Sequence, residues 1–330
     1  MIVHTIDAHV GGAALRLVVE GGPVAELGAG LPGGTIAEAL EVMRTRHDAF
    51  RRALMLEPRG HGAMSGAILT PAESPASNAG VLFMHAGGWS AICGHGLIAV
   101  AAIAVERGLL PRPPRGGALR LDTAAGPVDA RISAVPTDEH RVASVAWSGV
   151  PALVVRPGLP VPLARRQVVV DLAHAGETYA IVDAEGCGVP LDREHLPELV
   201  RTGQAVVEAV ESALGLQAVA GTVFTGPPAG GGDLRAATVY PDGAVDRSPG
   251  GMATCAVMAV LDAMGLLSED QAFVLESLIG TRFTGRIAGR AQVGETRAIV
   301  PEIEGRAFIT GEHAFALDEG DPLRDGFVFS

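Results

Sequence analysis

Two apolar stretches of this chain align on each other without a gap, and that repeat limits what the chain can fold into. Cys93-Gly94 opens the first, and Gly108-Leu109-Leu110 follows fifteen residues after the cysteine. Gly250-Gly251 opens the second, and Gly265-Leu266-Leu267 follows at the same interval. The first helix is apolar on nearly every face from Leu97 to Val105, which predicts burial all round rather than along one stripe. Two equivalent helices, each entered through small residues, predict two similar domains facing each other. Each helix start offers amides without an intrahelical acceptor and the positive end of a dipole. A cleft between two such ends suits a carboxylate.

The flanking sequence repeats the same plan. His9-Val-Gly11 leads into a predicted strand over 15–19, and His174-Ala-Gly176 leads into another over 179–182. Residues 2–27 read as strands and turns, and Thr35-Ile-Ala-Glu38 is a capping box that predicts a helix to about residue 55. Further strands are expected over 67–69, 81–85, 119–123, 128–132 and 142–147, then over 221–225 and 236–240. A helix is expected over 195–214, with Pro197 in its first turn. The length of 330 residues suits two domains, drawn at 1–160 and 161–330. Gly28-Ala-Gly30-Leu-Pro-Gly33 has the spacing of a dinucleotide-binding loop. Pro32 removes a backbone donor, however, and no regular βαβ alternation follows, so it reads as an ordinary loop. His61, in another glycine loop, reads as a structural hydrogen bonder.

Composition excludes several classes. The net charge is −12, no basic run is present and aromatics make up 4%, which argues against nucleic acid as a partner. All 25 basic residues are arginine. A chain without lysine forms no internal Schiff base with pyridoxal phosphate and has no P-loop lysine. No signal peptide pattern opens the sequence, and the most apolar helix is too short to span a bilayer. Three cysteines, at 93, 187 and 255, have no metal-ligand spacing. A cytoplasmic protein with no metal, no membrane partner and a small-molecule substrate is the expectation.

The chemistry points to Cys93. A thiol at a helix N-terminus is biased toward thiolate and can act as nucleophile or base. No Gly-x-Ser-x-Gly elbow is present, and His95 lies on the same turn as the cysteine rather than across a cleft. A base fits better, with the helix ends holding a substrate carboxylate while the thiolate takes the α-proton.

Ile92-Cys93-Gly94-His95-Gly96 and Asp246-Arg-Ser-Pro249-Gly250-Gly251 together resemble the paired motifs of the proline racemase family. Asp7-x-His9-x-Gly-Gly12, Glu57-Pro-Arg-Gly-His61, Gly80-Val-Leu-Phe83 and Tyr179-Ala-Ile-Val-Asp183 also fit its pattern. So do Ser277-Leu-Ile-Gly280, Phe283-Thr-Gly285 and Asp321-Pro-Leu-Arg-Asp-Gly326-Phe327, so the resemblance spans the chain. It implies an α/β fold of the diaminopimelate epimerase type: two pseudo-symmetric domains, each a central helix wrapped by curved sheet, with the active site in the cleft between them. The last segment would pack back on the first domain. It further implies that Cys93 is the first acid/base thiol, that Gly94, His95, Gly251 and Met252 offer backbone N–H groups to a carboxylate, and that His95 and Asp246 contact a ring nitrogen. A loop-capping role is the alternative for Asp246. No cofactor is implied, and a homodimer is the family expectation.

One position departs from that pattern. Racemases and epimerases of the family carry a second cysteine where this chain has Gly250, and dehydratases usually carry threonine. Cys255 lies five residues further into the helix and reads as a buried structural thiol. The segment Phe83-Met-His-Ala-Gly-Gly-Trp89-Ser90 resembles the dehydratase branch. One thiol is enough for α,β-elimination, which leads to dehydration of trans-3-hydroxy-L-proline as the first expectation. A 4-hydroxyproline 2-epimerase or proline racemase using water in place of the thiol is the second. A paralogue that only binds a cyclic amino acid is the third.

Overall fold

The computed structural model describes residues 1–164, 166–215 and 219–329. Its elements are, in order, β1 (Ile2–Val10), β2 (Ala13–Glu20), α1 (Val24–Ala29), α2 (Ile36–Arg46), α3 (Asp48–Met55), β3 (Ser65–Thr70), β4 (Ala79–His85), β5 (Gly88–Ser90), α4 (Gly94–Glu106), β6 (Ala118–Thr123), β7 (Gly126–Val135) and β8 (Asp138–Ser148). They continue with β9 (Ala152–Leu163), β10 (Arg166–Ala175), β11 (Glu177–Asp183), α5 (Ala184–Cys187), α6 (Leu196–Leu214), β12 (Val219–Gly226), β13 (Leu234–Val239), α7 (Gly251–Ala263), β14 (Phe273–Glu276), β15 (Arg282–Val293), β16 (Thr296–Gly305) and β17 (Ala307–Ala316). The chain forms two compact units, Met1–Trp147 with Gly305–Ser330, and Ser148–Glu304. Strand pairing explains where these limits differ from a division at residue 160. β9 pairs along its length with β10, and β17 pairs along its length with β1.

In the first unit, β17 lies antiparallel to β1, β1 antiparallel to β2, and β2 parallel to β3. β3 is then antiparallel to β4, β4 parallel to β6, and β6 antiparallel to β7. The second unit repeats the series through β9, β10, β11, β12, β13, β14 and β15 with the same sense at every step. There β16 continues from β15 and meets β9 at Ile299 and Ala152, closing the ring. Both parallel steps need crossovers. The α1–α3 segment and the α5–α6 segment serve the first crossover, and α4 and α7 serve the second. The gapless repeat in sequence is thus a repeat of topology.

The two crossover helices end up inside their own sheets. α4 packs on β1, β2, β3, β7 and β17, and α7 packs on β9, β10, β11 and β15. Residues Gly94 to Ala104 of α4 and Gly251 to Val260 of α7 are buried throughout. A helix ringed by sheet has no solvent side, which is why neither sequence shows a polar stripe. β4 shows the layering from the strand side. Leu82 and Met84 join a core cluster with Leu40, Met43 and Leu54 of α2 and α3, while Phe83 points the other way, toward α4. Burial on both faces accounts for the unbroken apolar run of this strand. Among the described residues, no helix is long and apolar enough to cross a membrane.

Three local differences from the sequence expectation have physical causes. The predicted helix to residue 55 breaks at His47 (φ −123°, ψ 20°), beyond which Asp48 starts α3. Helix α1 replaces a stretch expected to be turns; only Leu27 of it is buried, too little to show a period. Gly28-to-Gly33 covers the end of α1 and the start of a 3-10 turn over Pro32–Gly34.

Two polar networks fix the first unit. Arg16, 5% exposed, donates to both carboxylate oxygens of Asp7 and to the carbonyls of Leu54 and Arg59. Arg59 in turn donates to the carbonyls of Leu323 and Arg324, and Phe327 N donates to Glu57 O at 2.9 Å. The Glu57–Arg59 and Asp321–Phe327 motifs, far apart in sequence, therefore hold each other. In the second network, Asp48 accepts from Arg51 Nε (2.6 Å) and Trp89 Nε1 (3.0 Å), and Arg51 reaches the carbonyls of His85 and Ala86. This ties α3 to the hairpin that precedes Cys93.

The hydrogen bond from Arg51 holds the Asp48 carboxyl below the usual aspartate range. A depressed folded-state pKa contributes stability above the unfolded value, and that contribution is lost as pH falls through the folded value. Asp48→Asn is therefore expected to lower the thermal midpoint at neutral pH. The gap to the parent should close well below pH of about 4. Because the carboxylate is partly exposed, the effect should stay near or below about 1 kcal/mol. Trp89 fluorescence reports the transition.

Candidate active site

Cys93 caps α4 in an extended conformation (φ −140°, ψ 110°). The first bond of the helix ladder runs from Leu97 N to Cys93 O at 2.8 Å, which places Gly94, His95 and Gly96 in the opening turn. The thiol is partly exposed, while Gly94 and His95 are buried. His95 curls back on the same turn, with Nδ1 3.5 Å and Nε2 3.7 Å from Cys93 Sγ. Gly96 has a steric role. A Cβ there would lie 2.9 Å from Cys93 Sγ and 2.8 Å from Phe83 Cε1. Only glycine lets the thiol lie against the first turn of its own helix. The other two cysteines are different in kind. Burial pushes the Cys187 thiol up to about 11 and that of Cys255 higher still, so both stay protonated at neutral pH. Cys255 is fully buried within α7.

The start of α7 gathers Asp246, Gly250, Gly251 and Met252. Asp246 N donates to Thr238 O at 3.0 Å, which pins the loop to β13. The two carboxylate oxygens of Asp246 do different work. Oδ1 accepts from Ser248 N and Ser248 Oγ, both at 2.9 Å, and so caps the loop. Oδ2 lies 3.4 Å from the Tyr240 hydroxyl and 3.3 Å from where a Cβ on Gly250 would stand. Ser248 Oγ in turn accepts from Gly250 N at 3.1 Å, and Gly250 O accepts from Thr254 N and Thr254 Oγ1. Gly251 and Met252 are buried in the first turn that follows.

The two helix entrances are not backbone copies of one another. Gly250 has φ 78° and ψ 114°, against φ −140° and ψ 110° at Cys93. Positive φ with this ψ is a glycine conformation that L side chains rarely adopt. A Cβ there would also stand 2.9 Å from the Cβ of Ala253. The peptide around Gly250 is thus turned to suit glycine.

Sequence reasoning missed the residues that support Asp246. Ser248, two positions on, could have been found from the Asx-turn spacing of Asp246-Arg-Ser248. Thr238 and Tyr240 needed the register of β13 and the path of the loop.

Comparison with known proteins decides the family. The sequence profile described as proline racemase matches residues 5–328. The chain belongs to the proline racemase family. A 4-hydroxyproline 2-epimerase of Streptosporangium roseum is 36% identical, the alignment covering 99% of this chain and 98% of that one. A trans-3-hydroxy-L-proline dehydratase of Bacillus cereus is 35% identical over the same shares. A proline racemase of Acetoanaerobium sticklandii is 32% identical, again over 99% and 98%. Among solved structures, a hydroxyproline epimerase from Agrobacterium vitis with bound trans-4-hydroxy-L-proline superposes with a TM-score of 0.89 at 28% identity, covering 99% of this chain and 95% of that one. A PhzF-family phenazine biosynthesis protein of Bacillus anthracis shares the fold at a TM-score of 0.61 and 11% identity, covering 96% and 99%. Proline racemase family members with these three kinds of name are similar to the chain at nearly equal identity, so identity does not choose among them.

Proposed function

We propose that this chain is a cofactor-independent enzyme that removes the α-proton of a cyclic amino acid, and that its reaction is dehydration of trans-3-hydroxy-L-proline with Cys93 as the only base. Curated relatives with racemase, epimerase and dehydratase names support the first part. The observation that carries the second is the glycine at position 250, in a backbone conformation suited to glycine. Inversion at an α-carbon needs a proton donor on the face opposite the base, and residue 250 has no side chain to supply one. Elimination needs a base on one face only.

In this reading the amides of Gly94, His95, Gly251 and Met252 take the substrate carboxylate, and charge developing at the α-carbon is spread onto it. His95 and Asp246 take the ring nitrogen. The Cys93 thiolate accepts the α-proton, and the electrons of the C–H bond form the Cα=Cβ double bond. The Cβ–O bond breaks with its pair on oxygen. That oxygen becomes water on gaining a proton from solvent, and the thiol returns its own to solvent. The balance is loss of one water to give a pyrroline-2-carboxylate.

Proton NMR in deuterated water, run against L-proline, trans-3-hydroxy-L-proline and trans-4-hydroxy-L-proline, tests the assignment. The expected result is consumption of trans-3-hydroxy-L-proline with growth of a pyrroline product, and no inversion of the other two. Inversion of 4-hydroxyproline or proline on chiral separation, with trans-3-hydroxy-L-proline unchanged, would replace it with the epimerase reading.

A further inference from the structure

Beside Gly250, the buried hydroxyl of Thr238 has no hydrogen-bond partner among the described residues. Thr238 is the penultimate residue of β13 and is 1% exposed. Other buried threonines of this chain are satisfied: Thr222 donates to Gly203 O, Thr254 to Gly250 O, and Thr5 to Asp7. Trp147 Nε1 and Arg235 Nε are also unmatched, but neither belongs to the loop that opens α7. An unpaired buried hydroxyl is uncommon in native folds and calls for a reason. Here its surroundings supply one. A Cβ on Gly250 would lie 3.5 Å from Thr238 Oγ1 and 3.3 Å from Asp246 Oδ2, so both oxygens border the place where a side chain at 250 would start.

The pair has a defined selectivity. A threonine hydroxyl can donate and accept, whereas an ionised carboxylate only accepts. A group that uses the threonine proton as well as the carboxylate gives a proton to Asp246 and takes one from Thr238. A hydroxyl does both. A carboxylate is repelled by Asp246, and an ammonium leaves the threonine proton without an acceptor. We propose that Thr238 is a substrate-binding residue whose hydroxyl donates to the oxygen of the substrate's ring hydroxyl, which itself donates to Asp246 Oδ2. This rests on the dehydratase reading and deepens it, since the group so held is the one that must leave. A donor aimed at the departing oxygen stabilises the charge it gains as the Cβ–O bond breaks. Oδ2 has two lone pairs for the ring nitrogen and the hydroxyl, so the long 3.4 Å bond from the Tyr240 hydroxyl is given up when both bind.

Binding in a Cys93→Ser background, where turnover is slowed by about 10²–10⁴-fold, tests the proposal. Kd values for trans-3-hydroxy-L-proline and L-proline are measured by calorimetry with Thr238, Thr238→Val and Thr238→Ser. Valine should weaken trans-3-hydroxy-L-proline about tenfold, equivalent to about 1.4 kcal/mol. It should leave L-proline within about twofold, and serine should restore most of the loss. The valine variant should melt no lower than its parent, because it deletes an unpaired polar atom without changing shape. An equal loss for both ligands marks a structural role and overturns the proposal, as does no change for either. Absence of binding by trans-3-hydroxy-L-proline before any change at 238 overturns this proposal and the dehydratase reading together. The dehydratase reading alone fails if the wild-type chain inverts hydroxyproline, while the calorimetric comparison still stands.

Discussion

Cys93→Ser is expected to lower the rate of the proposed dehydration by about 10²–10⁴-fold, the range for loss of a positioned general base. Serine keeps the shape of the cap and the turn that follows. It loses the chemistry, because a hydroxyl stays protonated where a thiol can ionise. Cys255→Ser should retain most of the activity. That thiol is fully buried and held protonated by burial, so it is outside proton traffic. Its cost should appear instead in the thermal midpoint, since an added hydroxyl in an apolar helix costs about 1–3 kcal/mol without a partner. The contrast is read in one experiment by initial rates and thermal melts. Equal loss of rate from both substitutions would overturn the division of roles. Alkylation gives the same distinction without mutagenesis. Cys93 is partly exposed whereas Cys187 and Cys255 are buried, so iodoacetamide should label one site and inactivate the native protein.

The parts of this molecule legible in sequence are those set by local pattern. The repeat of two all-apolar helices implied two units of one plan, because a helix without a polar face has to be enclosed. Cys93 was legible because its cap position and the glycines around it are neighbours in sequence. Asp246 was legible as a residue of the motif, but its division of labour was not. The loop-capping alternative describes Oδ1, while only the path of the backbone shows Oδ2 turned toward position 250. Long-range partners were invisible for the same reason. Arg59 and the carbonyls of Leu323 and Arg324 belong to two recognisable strings, and nothing local says that they meet. Thr238 looked like any strand threonine, since the partners of a hydroxyl are fixed by register and loop path rather than by residue type.

Gly250→Cys tests whether the entrance to α7 can host a second thiol. If the loop accepted a side chain at 250, cysteine would supply a second base and with it α-carbon inversion. The backbone argues otherwise. At φ 78° and ψ 114° a cysteine sits in a sparsely populated region, at a cost of about 1–3 kcal/mol. Its Cβ would press on Ala253 Cβ at 2.9 Å, and it would enter the space that Thr238 Oγ1 and Asp246 Oδ2 border. Relief by turning φ negative would move Gly250 N away from Ser248 Oγ and its carbonyl away from Thr254, dismantling the entrance to α7. The expected outcome is a thermal midpoint lower by several degrees, at about 2–4 °C per kcal/mol for domains of this size. Dehydration should fall by an order of magnitude or more, as the Thr238–Asp246 pair is displaced, with no racemisation of proline gained. A Gly250→Cys variant that melts within about one degree of the parent and inverts proline would show the opposite. The loop would then be compatible with a second thiol.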